Sequence, residues 1–162
     1  MTPVTFWNMD REALLRRIVH LSAPLYLVYY LLPSPLWSGG PPRELGLMAV
    51  LITVLIVEAV RQYKGVRIPG LRDYESHRIS AAAWAAIGIA FAMLFFPLSL
   101  AAPAIAGMAF IDPLISMLRS TRWYPWAPLL AHFLLTLSIL LLFYEPSPRP
   151  VLAAVLASIL AV

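Results

Sequence analysis

From Ile79 to Leu118 the chain carries a single ionisable side chain, Asp112. A run of that length cannot be solvated by water unless the rest of the molecule is rich in charge, and it is not. Soluble domains hold about a quarter of their residues as charged side chains; here 12% are charged and 61% are hydrophobic. The expected solvent is therefore membrane hydrocarbon. A helix needs roughly 20 residues to cross a bilayer, so five or six spans use nearly all of the 162 residues and leave no room for a separate soluble domain. The expected fold class is all-α, a polytopic transmembrane helical bundle forming one integral membrane domain. Cysteine is absent, which excludes disulfides, thiolate catalysis and cysteine-ligated metal centres.

Charge and proline punctuate the apolar runs. They predict a first helix from about Leu14 to Leu32, kinked or opened at Pro24, where the ladder loses a donor. A second runs from about Leu45 to Val60, a third from about Ile79 to Phe96 and a fourth from about Leu98 to Leu118, the last two joined as a tight hairpin at Pro97. A fifth spans about Pro128 to Tyr144. The final run, 151–162, is short for a span and is expected to be an incomplete sixth. "LPSPLWSGGPP" and "EPSPRP" read as short loops.

Cytoplasmic loops retain lysine and arginine. With the N-terminus inside, one side collects Arg11, Arg16, Arg17, Arg61, Lys64, Arg67, Arg72, Arg78, Arg119 and Arg122, and the other only Arg43 and Arg149. The N-terminus is expected to be cytoplasmic. A cleaved signal peptide is not expected, because no small-residue cleavage site follows the span behind Arg16 and Arg17. Asp10, Glu12, Glu58, Asp73, Glu75 and Asp112 fall on the same side, although carboxylates contribute little to orientation.

Two of these acids belong to apolar helices, where an ionisable group is costly and marks a functional hypothesis. Glu58 has a structural explanation available, a pair with Arg61 three residues on. In "GMAFIDPLISMLRS", Asp112-Pro113 reads as a helix start inside an apolar run. The expectation is a helix broken at Asp112, whose free N–H groups and carboxylate would suit phosphate and a magnesium ion; a plain capped kink is the structural alternative. His20 lies on a stripe with Arg16 and Arg17, and reads first as an interfacial hydrogen-bonder. His132, alone in the fifth span, reads as helix-packing glue.

The order of these signals resembles a family. "LLRRIVHLSAPLYL" looks like the opening Arg-Lys-x-x-His signature of the dolichol kinase, phytol kinase and CTP-dependent diacylglycerol kinase family, with Arg17 at the lysine position. "VEAVR" looks like the acid and arginine that close its next span, and "LRDYESHRISAAAWAAIGIAFAMLFFPLSLAAPAIAGMAFIDPLIS" is similar to its central block. The likeness covers about residues 11–120. Ile111 stands where the family has a glycine before its aspartate, and "STRWYPWAPLL" replaces its Lys-Ser-x-Glu-Gly stretch. The resemblance implies a lipid-alcohol kinase of the polyprenol or dolichol type, using a nucleotide triphosphate, CTP by family habit, with Mg2+. His20, Glu58 and Asp112 would be catalytic, Asp112 would hold the metal, and Arg17, Arg61, Arg72, Glu75, Arg78 and Arg119 would bind phosphate and nucleotide. Glu75 and Arg78 are spaced to share a face of the incoming third helix.

Two non-enzymatic readings compete. The basic residues from Arg61 to Arg78, with Tyr63 and Tyr74 beside them, would also bind anionic lipid headgroups, making the protein a scaffold or subunit. A small transporter would use a broken helix at Asp112 as its ion site. The expected partners are membrane lipids, a lipid-alcohol substrate and a nucleotide triphosphate, with no nucleic acid.

Overall fold

The computed structural model describes residues 11–66, 68, 75 and 78–162, leaving aside the side chains of residues 11–13 and 16; within these the protein is helical throughout, with no strand. Helix α1 (Arg11–Ser22) tightens at Ala23 into a 3₁₀ helix, Ala23–Leu31. The change falls at Pro24, which cannot donate to the α ladder. Helix α2 (Arg43–Lys64) is followed by α3 (Ala81–Phe95) and α4 (Leu98–Ala106). A π turn, Gly107–Ile111, joins α4 to α5 (Asp112–Leu118), and α6 (Trp126–Phe143) and α7 (Pro148–Ala161) complete the chain.

Hydrogen bonds between helix ends give the order of the rods. At one end, Ser80 N–H donates to Glu58 Oε1 at 2.7 Å, linking the close of α2 to the start of α3. Tyr124 Oη donates to Val162 O at 3.2 Å and brings the start of α6 beside the close of α7. At the other end, Tyr30 Oη donates to Phe96 O at 2.7 Å, and Ser99 Oγ lies 2.9 Å from Tyr144 Oη. Among the described residues, six helical rods thus alternate in direction. The start of α1, the close of α2, the start of α3, the close of α5 and the start of α6 share one end, the basic one.

The opposite end carries Arg43. Its Nη1 donates to the carbonyls of Tyr30 and Leu32 at 3.3 and 3.2 Å, and its Nε to Glu44 at 3.1 Å. The guanidinium also covers the Tyr29 ring, 4.9 Å from its centroid. One arginine therefore satisfies the last carbonyls of the 3₁₀ helix, which have no partner of their own. Gly65, at φ 63°, ends α2 in the left-handed conformation that glycine adopts without a Cβ penalty, and Val66 N–H returns to Arg61 O at 3.1 Å.

The core is built from small residues. Ala23, Ala83, Ala90, Ala101, Ala106, Ala109 and Ala154 are buried, while Leu25, Leu31, Trp126, Leu142 and Leu160 are more than 70% exposed. Backbones approach closely where side chains are small, and many large apolar groups point outward, although Tyr29, Ile89, Met93, Ile105, Ile111 and Leu140 are buried. Two helices, Leu98–Leu118 and Trp126–Phe143, are long and apolar enough to cross a membrane.

Three expectations need correction. The fourth rod is not broken at Asp112: Ile111 and Asp112 both have right-handed helical dihedrals, and the helix runs from Leu98 to Leu118 through the π turn. A π turn widens the ladder just ahead of Pro113, where a regular α turn would press the proline ring against the carbonyl four residues back. Glu75 and Arg78 do not lie on the third helix, which begins at Ala81 with Ser80 as its cap, Ser80 Oγ accepting from Ala83 N–H at 3.2 Å. Part of "EPSPRP" is helix, because Pro148 and Pro150 occupy the first turn of α7, where a missing N–H costs nothing.

Candidate functional site

The predicted site residues divide into two groups at the basic end, on different helices. The first is a buried polar knot. Glu58 and Arg61, 8% and 3% exposed, lie one turn apart on α2 and pair through Arg61 Nε to Oε2 at 3.0 Å and Nη2 to Oε1 at 2.8 Å. Glu58 Oε1 also accepts from Ser80 N–H at 2.7 Å and Gln62 Nε2 at 3.3 Å. Arg61 Nη2 reaches across the loop to the carbonyls of Glu75 and Arg78, at 3.1 and 2.8 Å. Glu75 is buried too, and its Oε1 accepts from Ala81 N–H at 3.4 Å.

Together these contacts fasten the loop between α2 and α3 to the close of α2 and satisfy the first N–H groups of α3. Each charge-assisted bond of this kind contributes about 1.5–3 kcal/mol against leaving the groups unpaired. Glu58 and Arg61 are thereby committed to the fold, with little surface left for a ligand. Arg61 Nη1 is buried without a hydrogen-bond partner among the described residues.

The second group surrounds Asp112. Helix α1 packs against the π turn, and half-buried His20 in its last turn is an electrostatic neighbour of Asp112, as is His132 from α6. Asp112 is exposed on the flank of the bundle, and its carboxylate makes no hydrogen bond or ion pair among the described residues. It lies at a groove of about 470 Å³ between the fourth rod and helices α6 and α7. Hydrocarbon supplies most of the wall, from residues such as Leu100, Pro103, Ile111, Leu140 and Ala157; Asp112, His132 and Thr136 supply its polar side chains. An unpaired carboxylate on an apolar flank is costly, and a ligand that meets it offsets the cost.

Arg17 is half-buried on α1, and Arg119 is exposed just beyond α5. The Arg78 side chain is exposed, its backbone being what the knot uses. Arg72 falls outside the described residues. Among the described residues no three His, Asp or Glu side chains gather as a metal site.

Sequence reasoning passed over the polar contacts of His132. Its ring is buried, with Nδ1 3.1 Å from Ser158 Oγ on α7 and 3.4 Å from Thr136 Oγ1 one turn on. The reading of His132 as glue between helices fits these bonds. The available signal was the spacing of His132 and Thr136, four residues apart on one face of an apolar helix.

Comparison with known proteins gives no match: no family model fits the chain, and no curated protein and no solved structure is similar to it at a significant level.

Proposed function

We propose that the chain is a multi-pass membrane protein with its N-terminus in the cytoplasm, and that it acts on a lipid alcohol at its basic end, as a phosphotransferase of the kind its sequence resembles. The membrane reading is supported by the small-residue core, the apolar exterior and the aromatic residues at both ends, Trp37 and Tyr144 at one, Tyr63, Trp84, Trp123 and Trp126 at the other.

The observation that carries the functional reading is Asp112 at the groove. A lipid chain lies along its apolar wall with the polar head at the level of the carboxylate, in reach of the end where Arg17, Arg119 and Arg122 meet the aqueous phase. Phosphoryl transfer asks a protein chiefly for positioning and for cations on the phosphates. Asp112 provides one anionic ligand toward a magnesium ion, and phosphate oxygens and water would have to provide the others. Glu58 and Arg61 leave the candidate chemistry and become its scaffold.

The non-enzymatic reading, a subunit or scaffold binding anionic headgroups, is favoured by one observation: Arg61 and Glu75 of the expected phosphate-binding set are committed to the knot. The transporter reading loses its motive, since the helix at Asp112 is continuous. The test is label transfer from the terminal phosphate of CTP or ATP to polyprenol, phytol or diacylglycerol by the purified chain in lipid nanodiscs. Transfer that requires Asp112 supports the kinase. No transfer with any pair, together with tight binding of anionic vesicles, replaces it with the scaffold.

A further inference from the structure

His132 belongs to neither predicted group, yet its hydrogen bonds fix which of its nitrogens is available. Ser158 Oγ lies 2.6 Å from Ala154 O and gives its one hydrogen to that carbonyl. At 3.1 Å from His132 Nδ1, the same oxygen must then accept, so the neutral ring carries its proton on Nδ1 and a lone pair on Nε2. Nε2 faces Gly107, where an added Cβ would stand only 2.8 Å away. The missing side chain and the π turn beginning there leave room for the ring at the wall of the groove. An imidazole acceptor, held in one tautomer from behind, thus borders a largely hydrocarbon groove whose other polar side chains are Asp112 and Thr136.

We infer that His132 Nε2 is the acceptor for the hydroxyl of a lipid alcohol bound in this groove. The inference rests on the lipid-alcohol reading above and adds the residue that recognises the head. An acceptor buried in the wall selects a ligand that can donate a hydrogen bond to it. The apolar residues from Leu100 to Ala161 that line the groove suit an alkyl or isoprenoid chain.

The experiment uses the full chain in nanodiscs, with tritiated hexadecanol as the probe and hexadecyl methyl ether as competitor. The alcohol should bind roughly five- to tenfold more tightly than the ether, which has no hydrogen to donate. His132→Asn keeps an amide near the Nδ1 position to donate to Ser158 but has nothing at Nε2; in this variant alcohol and ether should bind alike. His132→Gln, with a polar atom at the ε position, should restore part of the difference. Equal binding of alcohol and ether by the unaltered protein overturns the inference without any variant. So does a preference that survives His132→Asn. Phosphoryl transfer is scored separately: its absence beside an intact alcohol preference removes the kinase reading and leaves this site standing.

Discussion

Replacing Glu58 with glutamine separates a structural from a catalytic role for this acid. In the knot, Oε1 accepts from Arg61 Nη2, Gln62 Nε2 and Ser80 N–H, whereas Oε2 accepts only from Arg61 Nε. The glutamine will keep its oxygen at the three-donor position and turn its NH2 toward Nε. Two donors then face each other, and a guanidinium 3% exposed loses its countercharge. Removing one partner of a buried pair costs about 3–5 kcal/mol. With three accepted bonds retained, Glu58→Gln should fall at the lower end, about 3 kcal/mol. The pair Glu58→Gln and Arg61→Gln together should cost less than the sum of the two single changes, by about 2 kcal/mol, because the second removes the stranded charge. The measurement is equilibrium unfolding in mixed dodecyl maltoside and dodecyl sulfate, followed by circular dichroism. Stability within about 0.5 kcal/mol of the unaltered protein, combined with loss of phosphoryl transfer, would refute the scaffold role and return Glu58 to the chemistry.

Asp112→Asn should not lower the stability of the fold, since it removes an unbonded charge from an apolar flank, while abolishing phosphoryl transfer; full transfer in a folded Asp112→Asn protein removes the proposed site. Gly107→Ala should push the His132 ring off its Ser158 contact and destabilise the bundle by about 1–3 kcal/mol, read by the same unfolding assay; no change would mean the ring is not held there. Ser80→Ala should cost about 1 kcal/mol through the lost α3 cap, with alcohol binding in the groove unaffected. Accessibility tags at the N-terminus and between Lys64 and Arg67 should report the cytoplasm, and one between Ser38 and Pro41 the opposite side; inverted labelling would detach the basic end from the nucleotide.

Most of the helical layout was legible in the sequence, because lipid-length apolar runs, prolines and charges are local signals. The turn at Pro97 and the change of helix type at Pro24 both follow from a missing N–H. The convergence of the basic residues was legible too, since alternating rods of similar length return every second loop to one end.

What the sequence could not settle was where each polar group spends its bonds. Glu58 and Asp112 look alike as isolated acids in apolar helices, yet one is held by an arginine, a glutamine side chain and the N-terminus of α3, while the other stands exposed beside a groove. The loop that carries Glu75 back to α2 decides that difference, and loop closure depends on packing rather than on local spacing. Asp112-Pro113 reads locally as a helix start, but the fourth rod continues because a π turn absorbs the proline. His132 gains its fixed tautomer only because α7 sets Ser158 against it, a contact between residues 26 positions apart that no periodicity announces.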